Sequence, residues 1–269
     1  MCEWCYQVVD FCRFRRETVS IGMSYLDRYV SRPEASIVLM DRKTYQLAAM
    51  TTLYMAIKLH EPLEMETSLL ADLSRGCYSE MEIAEMECKI LKALQWRLQG
   101  PTPLCFVQHF LALLPTQKVH PAVATAIMDY ARFQAELAVS DYTFVTVPQS
   151  HIALASILNA LDGIDTSLLP LKSQGKFLRA IEAFSGVLME HVQPVQDQLN
   201  RILVDVYAED NTEFSPTAVA RPSASDLAQQ LDAHHHVPAP GEGSELSSFT
   251  ESRSSNSKSS KSPVSVATT

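Results

Sequence analysis

The chain has 269 residues, 46% of them hydrophobic, and a formal net charge of -9. That size and apolar content allow one large core or two smaller ones. The acidic balance disfavours a broad nucleic-acid or anionic-membrane surface and fits a protein partner, and no apolar run reaches the ~18 residues of a membrane span.

Apolar residues recur with a helical period from residue 1 to about residue 207, and strand signals are scarce. A first helix is expected over 2–14. Cys2, Cys5 and Cys12 share its apolar stripe with Val8 and Val9, as small core residues do. Cys2-x-x-Cys5 has a second reading, a zinc or redox site, but no second pair follows at ligand spacing. Six cysteines without a signal-peptide pattern lead to the expectation of a reducing compartment. A second helix starts near residue 17 and breaks at SRPEAS. The third, from about residue 42, contains TYQLAAMTTLYMAI, apolar on every side, and is expected to be a hub enclosed by other helices. A fourth covers 65–73, and a fifth opens at the capping box Ser79-Glu80-Met81-Glu82 and runs to 94.

After the turn at 99–103 the pattern restarts, with helices expected over 104–114, 120–139, 149–161, 174–183 and 187–207. Five helices appear twice, a repeat of pattern rather than of sequence. Beyond residue 207 the composition shifts to Ser, Pro, Ala, His and acidic residues. Such a segment buries too little apolar area to offset its ordering entropy and is expected to be disordered. His234-His235-His236 within it reads as a solvated run or as a metal-binding one.

Two charges stand on apolar faces. Lys58 follows Tyr54 and Met55 in the last turn of the third helix, and Glu87 lies between Ile83 and Leu91 in the stripe of the fifth. In one reading Lys58 snorkels to water with Glu87 exposed beside it. In the other, both sit on an apolar docking surface and cap the backbone of a partner helix.

The blocks YLDRYVS, MAIKLHE, EMECKILKALQW and TPLCFVQHFL resemble, in order and spacing, the cyclin box, and AELAVSDYTFVTVPQSHIALASILNAL is similar to the second cyclin fold of D-type cyclins. The resemblance covers residues 1–207. It implies an all-α chain of two tandem five-helix cyclin folds, an amino-terminal cyclin box over 1–100 and a second fold over 101–207, followed by a regulatory tail over 208–269. It implies a regulatory subunit that binds and activates a cyclin-dependent kinase in cell-cycle control, in nucleus and cytoplasm, with no catalysis and no cofactor of its own. Lys58 and Glu87 fall on the family's kinase-contacting lysine and its partnered glutamate. Glu61 matches an acidic position beside the lysine, and Trp96 and Leu98 match apolar positions packing the same kinase region, although Trp96 alone reads equally as core.

The chain departs from the family in several places. Cyclins pair an arginine after the first-helix methionine with the aspartate of the Y-x-D-R segment; here Asp27 is present but Cys2 replaces the arginine. Asp27 must find another donor, or the first helix sits differently. The groove that docks arginine-x-leucine peptides of kinase substrates or inhibitors is partly recognisable in Met1, Arg42 and Gln46. Trp4 occupies an apolar position, and Val8 stands where a tryptophan is expected, which would leave the groove shallow. All five residues also read as core packing. The helix usual before the first one, and the L-x-C-x-E segment of D-type cyclins, are not found, so the amino terminus is expected to be divergent or missing. In the tail, Ser215 and Ser262 precede prolines and Ser248 has Glu251 three residues on. These are candidate phosphorylation sites linked to turnover.

No Gly-rich phosphate loop, H-E-x-x-H or G-x-S-x-G motif is found. Two other classes remain open: a kinase-independent helical scaffold on the same fold, and a nucleic-acid binder like transcription factor IIB, which the acidic balance opposes.

Overall fold

The structure, a computed structural model, describes residues 1–115 and 119–210. The expected disorder of the tail, the His234–His236 run and the phosphorylation candidates Ser215, Ser248 and Ser262 lie outside the described residues. The described residues are helical, with no strands among them.

The first repeat contains α1 (Cys2–Cys12), α2 (Glu17–Val30), α3 (Ser36–Met40), α4 (Arg42–His60), α5 (Thr67–Leu73) and α6 (Glu80–Ala93). The second contains α7 (Pro103–Leu111), α8 (Pro121–Ser140), α9 (Gln149–Asp162), α10 (Leu171–Ser185) and α11 (Met189–Asp210).

The hub of the first repeat is α4. Asp41 caps its start, accepting from the backbone N–H of Thr44 at 2.9 Å and of Lys43 at 3.3 Å. From Ala48 to Ile57 every residue is buried, and side chains such as Leu53, Met55 and Ile57 each contribute roughly 1.5–3 kcal/mol by leaving water. α2 and α6 flank it. Close approach of α2 depends on Gly22, where a Cβ would meet the Leu53 Cα at 3.0 Å. Ser79 starts α6 with the capping box: its hydroxyl accepts from the Glu82 N–H at 3.3 Å, and the Glu82 carboxylate accepts from the Ser79 N–H at 2.8 Å.

α9 is the counterpart of α4. Its residues 152–157 are buried, and α7, α8 and α11 pack around it. A buried amide pair ties it to α8, Asn159 Nδ2 donating to Gln134 Oε1 at 2.8 Å.

Two boundaries differ from the sequence reading in kind. The SRPEAS break is a 3-10 turn over Pro33–Ala35, followed by the short helix α3. Pro33 is pre-set for a first helical turn, so the chain re-enters a helix that no long apolar period announced. α10 begins at Leu171, three residues ahead of expectation, because Pro170 delimits its start.

The repeats meet where α1 and α2 touch α8. Arg16 Nε donates to the Glu136 carboxylate at 2.8 Å, and the Tyr6 hydroxyl donates to the Glu136 carbonyl at 3.3 Å. The Arg16 guanidinium also lies 4.4 Å from the Tyr6 ring centroid. The Thr102 hydroxyl donates to the Glu17 carboxylate across the same joint.

Candidate functional site

The last turn of α4 and the middle of α6 lie side by side, which brings Lys58 Nζ to 3.0 Å from Glu87 Oε1. Neither helix explains its charge alone. Glu87 sits on the stripe that buries Ile83, Met86 and Ile90, so its side chain is only 19% exposed, while that of Lys58 is 52% exposed. The ammonium also lies 5.6 Å from the centroid of the buried Tyr54 ring, one turn earlier. The hydrogen bond to Glu87 is the main cause that raises the Lys58 pKa above its ordinary value. The lysine is therefore held on a ring and a carboxylate, with half of its surface still open. Leu59 and Leu63, which follow Lys58 in the chain, are 51% and 65% exposed.

Trp96 is 71% exposed. The backbone puts it there: Gln95 and Trp96 both adopt positive φ, 53° and 59°, just after α6. Non-glycine residues in that region cost about 1 kcal/mol or more each, and the turn is closed by the Trp96 N–H donating to the Leu91 carbonyl at 3.0 Å. The reading of Trp96 as core is corrected. Leu98, by contrast, is half-buried against the cluster that contains Leu94 and Ile90.

Glu61 requires another correction. The resemblance matches it to an acidic kinase-contacting position beside Lys58, yet its side chain is 3% exposed. It accepts from the backbone N–H of Arg15 at 3.2 Å and from the Thr18 hydroxyl, with Arg15 Nε at 3.5 Å. Glu61 thus fastens the end of α4 to the start of α2.

The five residues of the expected docking groove divide. Arg42 and Gln46 are exposed on the first turns of α4, and Gln46 accepts from the Tyr78 hydroxyl at 3.4 Å. Met1 is 38% exposed. Trp4 packs against the first-repeat core, and Val8, at 4% exposure, belongs to it. Of the two readings of Val8, core packing is the one that its burial fits: an enclosed isopropyl group offers no surface to a peptide.

The Asp27 carboxylate finds no hydrogen-bond or ion-pair partner among the described residues. It is half-buried, and burial pushes its pKa up. Cys2 instead lends its thiol to the Val139 carbonyl at 3.5 Å. Burial pushes the Cys5 thiol up to about 12, the opposite of what a metal ligand or nucleophile needs. Among the described residues no group of three His, Cys, Asp or Glu side chains is placed to hold a metal ion, and no helix is long and apolar enough to cross a membrane.

Sequence reasoning missed the partners that join distant segments, Arg15 with Glu61 and Arg16 with Glu136. Nothing in the local pattern marks them, since each pair forms only when helices far apart in sequence are packed.

Comparison with known proteins gives two family matches, "Cyclin, N-terminal domain" over residues 1–99 and "Cyclin, C-terminal domain" over residues 101–234. Cyclin-A1-4 of Oryza sativa subsp. japonica is 29% identical over 158 residues, 59% of this chain and 42% of that protein. G1/S-specific cyclin-D1 of Danio rerio is 29% identical over 162 residues, 60% of this chain and 53% of that protein. The matched part thus spans about half the length of these curated relatives. A chain in the structure of the CAK complex of Chaetomium thermophilum bound to ATP-gamma-S aligns with a TM-score of 0.54 at 15% identity, covering 90% of this chain and 79% of that one. That likeness is one of fold.

Proposed function

The chain belongs to the cyclin family, and from that premise we propose that it is the regulatory subunit of a cyclin-dependent Ser/Thr kinase, acting in cell-cycle control. A protein kinase is active only when the glutamate of its αC helix reaches the catalytic lysine and its activation loop is open. A subunit that binds this arrangement better than the inactive one shifts the kinase toward it. The chemistry is then wholly the partner's, and this chain supplies a rigid face.

The observation that carries the reading is the Lys58–Glu87 pair. Bridging α4 and α6 at 3.0 Å with half of the lysine open, it offers both a donor and an acceptor to the backbone of an incoming helix, beside the exposed apolar Leu59. The indole of Trp96 adds a large apolar group suited to an interface centre. Glu61 has no part in this face, because its carboxylate is engaged within the chain. Action in nucleus and cytoplasm belongs to the same reading.

The test is affinity purification of the tagged chain from dividing cells, followed by a histone phosphorylation assay on the eluate. The reading expects a cyclin-dependent kinase and its activity with the wild type, and neither with Lys58→Glu. An inactive eluate from a folded wild-type chain would favour the kinase-independent scaffold instead.

A further inference from the structure

Between the repeats, α2 faces α8 and the start of α9 across a cleft of about 110 Å³. A single water needs about 10–15 Å³ of such space, so the cleft has room for a side chain. Met23, Ala138, Val139, Phe144 and Ile152 supply apolar walls, and Ser20, Ser24 and Gln149 add polar groups. The one carboxylate among its lining residues is that of Asp27.

We propose that this cleft is a receptor for one basic side chain, arginine or lysine, carried by a partner polypeptide. Asp27 is half-buried and, among the described residues, has no donor, although a carboxylate taken partly out of water is stabilised by a cationic donor and penalised without one. Arg28 also lines the cleft, but its guanidinium is turned to the carbonyl of Arg97 and makes no bridge to Asp27. The apolar walls match the methylene stem that both basic side chains carry. A partner polypeptide fits the surroundings: Val145, on the lining, is 51% exposed, and nearby Tyr142 is 85% exposed, so residues flanking the basic one would find apolar contacts outside. The net charge of -9 favours a basic partner at longer range. The site shares no residue with the Lys58–Glu87 face and stands whether or not the kinase reading does.

The experiment is an NMR titration of the full chain with the acetylated and amidated tripeptide Gly-Arg-Gly, its citrulline counterpart, and spermidine. Citrulline keeps the shape of arginine without the charge. The proposal expects the arginine peptide to shift the amides of Ser20, Ser24, Asp27, Ala138 and Val139. The citrulline peptide should bind at least about tenfold more weakly, as befits loss of a charge-assisted hydrogen bond. Asp27→Asn should reduce arginine to the level of citrulline. Ser24→Tyr, a change at an exposed position on the mouth, should weaken the arginine peptide by a similar factor and serves if Asp27→Asn does not fold. Equal binding of the arginine and citrulline peptides, shifts centred elsewhere, or undiminished binding by a folded variant would overturn the proposal. Tighter binding of spermidine than of the arginine peptide at these amides would overturn the assignment to a polypeptide.

Discussion

Truncating Lys58 to alanine separates what the Lys58–Glu87 bridge does for the fold from what it does for a partner. In the free chain the lysine side chain is 52% exposed, so the bridge is an ordinary surface pair worth about 0–1 kcal/mol. Thermal unfolding of Lys58→Ala should therefore stay close to wild type. In the complex both groups would be covered, and removing one would strand Glu87, already only 19% exposed, in an interface without water. Such truncations cost about 2–5 kcal/mol, or roughly 30- to several-thousand-fold in affinity. Glu87→Ala should lose a comparable amount. The double variant should lose less than the sum, since two residues in one contact couple by about 0.5–3 kcal/mol. The assay is a four-member cycle of kinase affinities beside four melting curves. Lys58→Ala binding as tightly as wild type would refute the reasoning, and so would strictly additive losses.

Trp96→Ala should leave stability within about 0.5 kcal/mol, as an exposed residue does, while weakening kinase binding tenfold or more; a variant that melts early but binds normally contradicts this. Gly22→Ala should destabilise by about 1–3 kcal/mol through overpacking against Leu53, and an unchanged denaturation midpoint contradicts the close approach of α2 to α4. Burial raises the Asp27 carboxyl above its ordinary value, so the folded chain binds that proton more tightly than the unfolded one. The contribution of Asp27 then falls as pH rises through the window above the ordinary carboxylate value. Asp27→Asn should remove that slope and melt at a higher temperature at neutral pH; a lower melting temperature would show that Asp27 has a stabilising partner.

The helical pattern was legible because period and caps agree. The all-round apolar run of α4 announced a hub, and the Ser79–Glu82 box announced the start of α6. The positions of Lys58 and Glu87 on apolar stripes were equally visible, but their 3.0 Å contact exists only because α4 and α6 pack side by side. What escaped depends on long-range packing or on backbone that sequence does not advertise. Glu61 reads as an acidic contact beside Lys58 until Arg15 and Thr18 are brought to it. Trp96 reads equally as core because two successive non-glycine residues with positive φ carry no local signature. Val8 reads either as the shallow side of a groove or as core, and only the packing of α1 shows it enclosed, so Val8→Trp would crowd the core. The cleft at Asp27 is lined from α2, α7, α8 and α9 and could not be seen from any one of them.

The central claim is tested most directly by titrating the purified chain into a purified cyclin-dependent kinase and following histone phosphorylation. The account predicts activity that rises with added chain and saturates at one chain per kinase, with Lys58→Glu giving no stimulation at the same concentrations. A folded wild-type chain that leaves the activity of every cyclin-dependent kinase recovered with it unchanged would contradict the account.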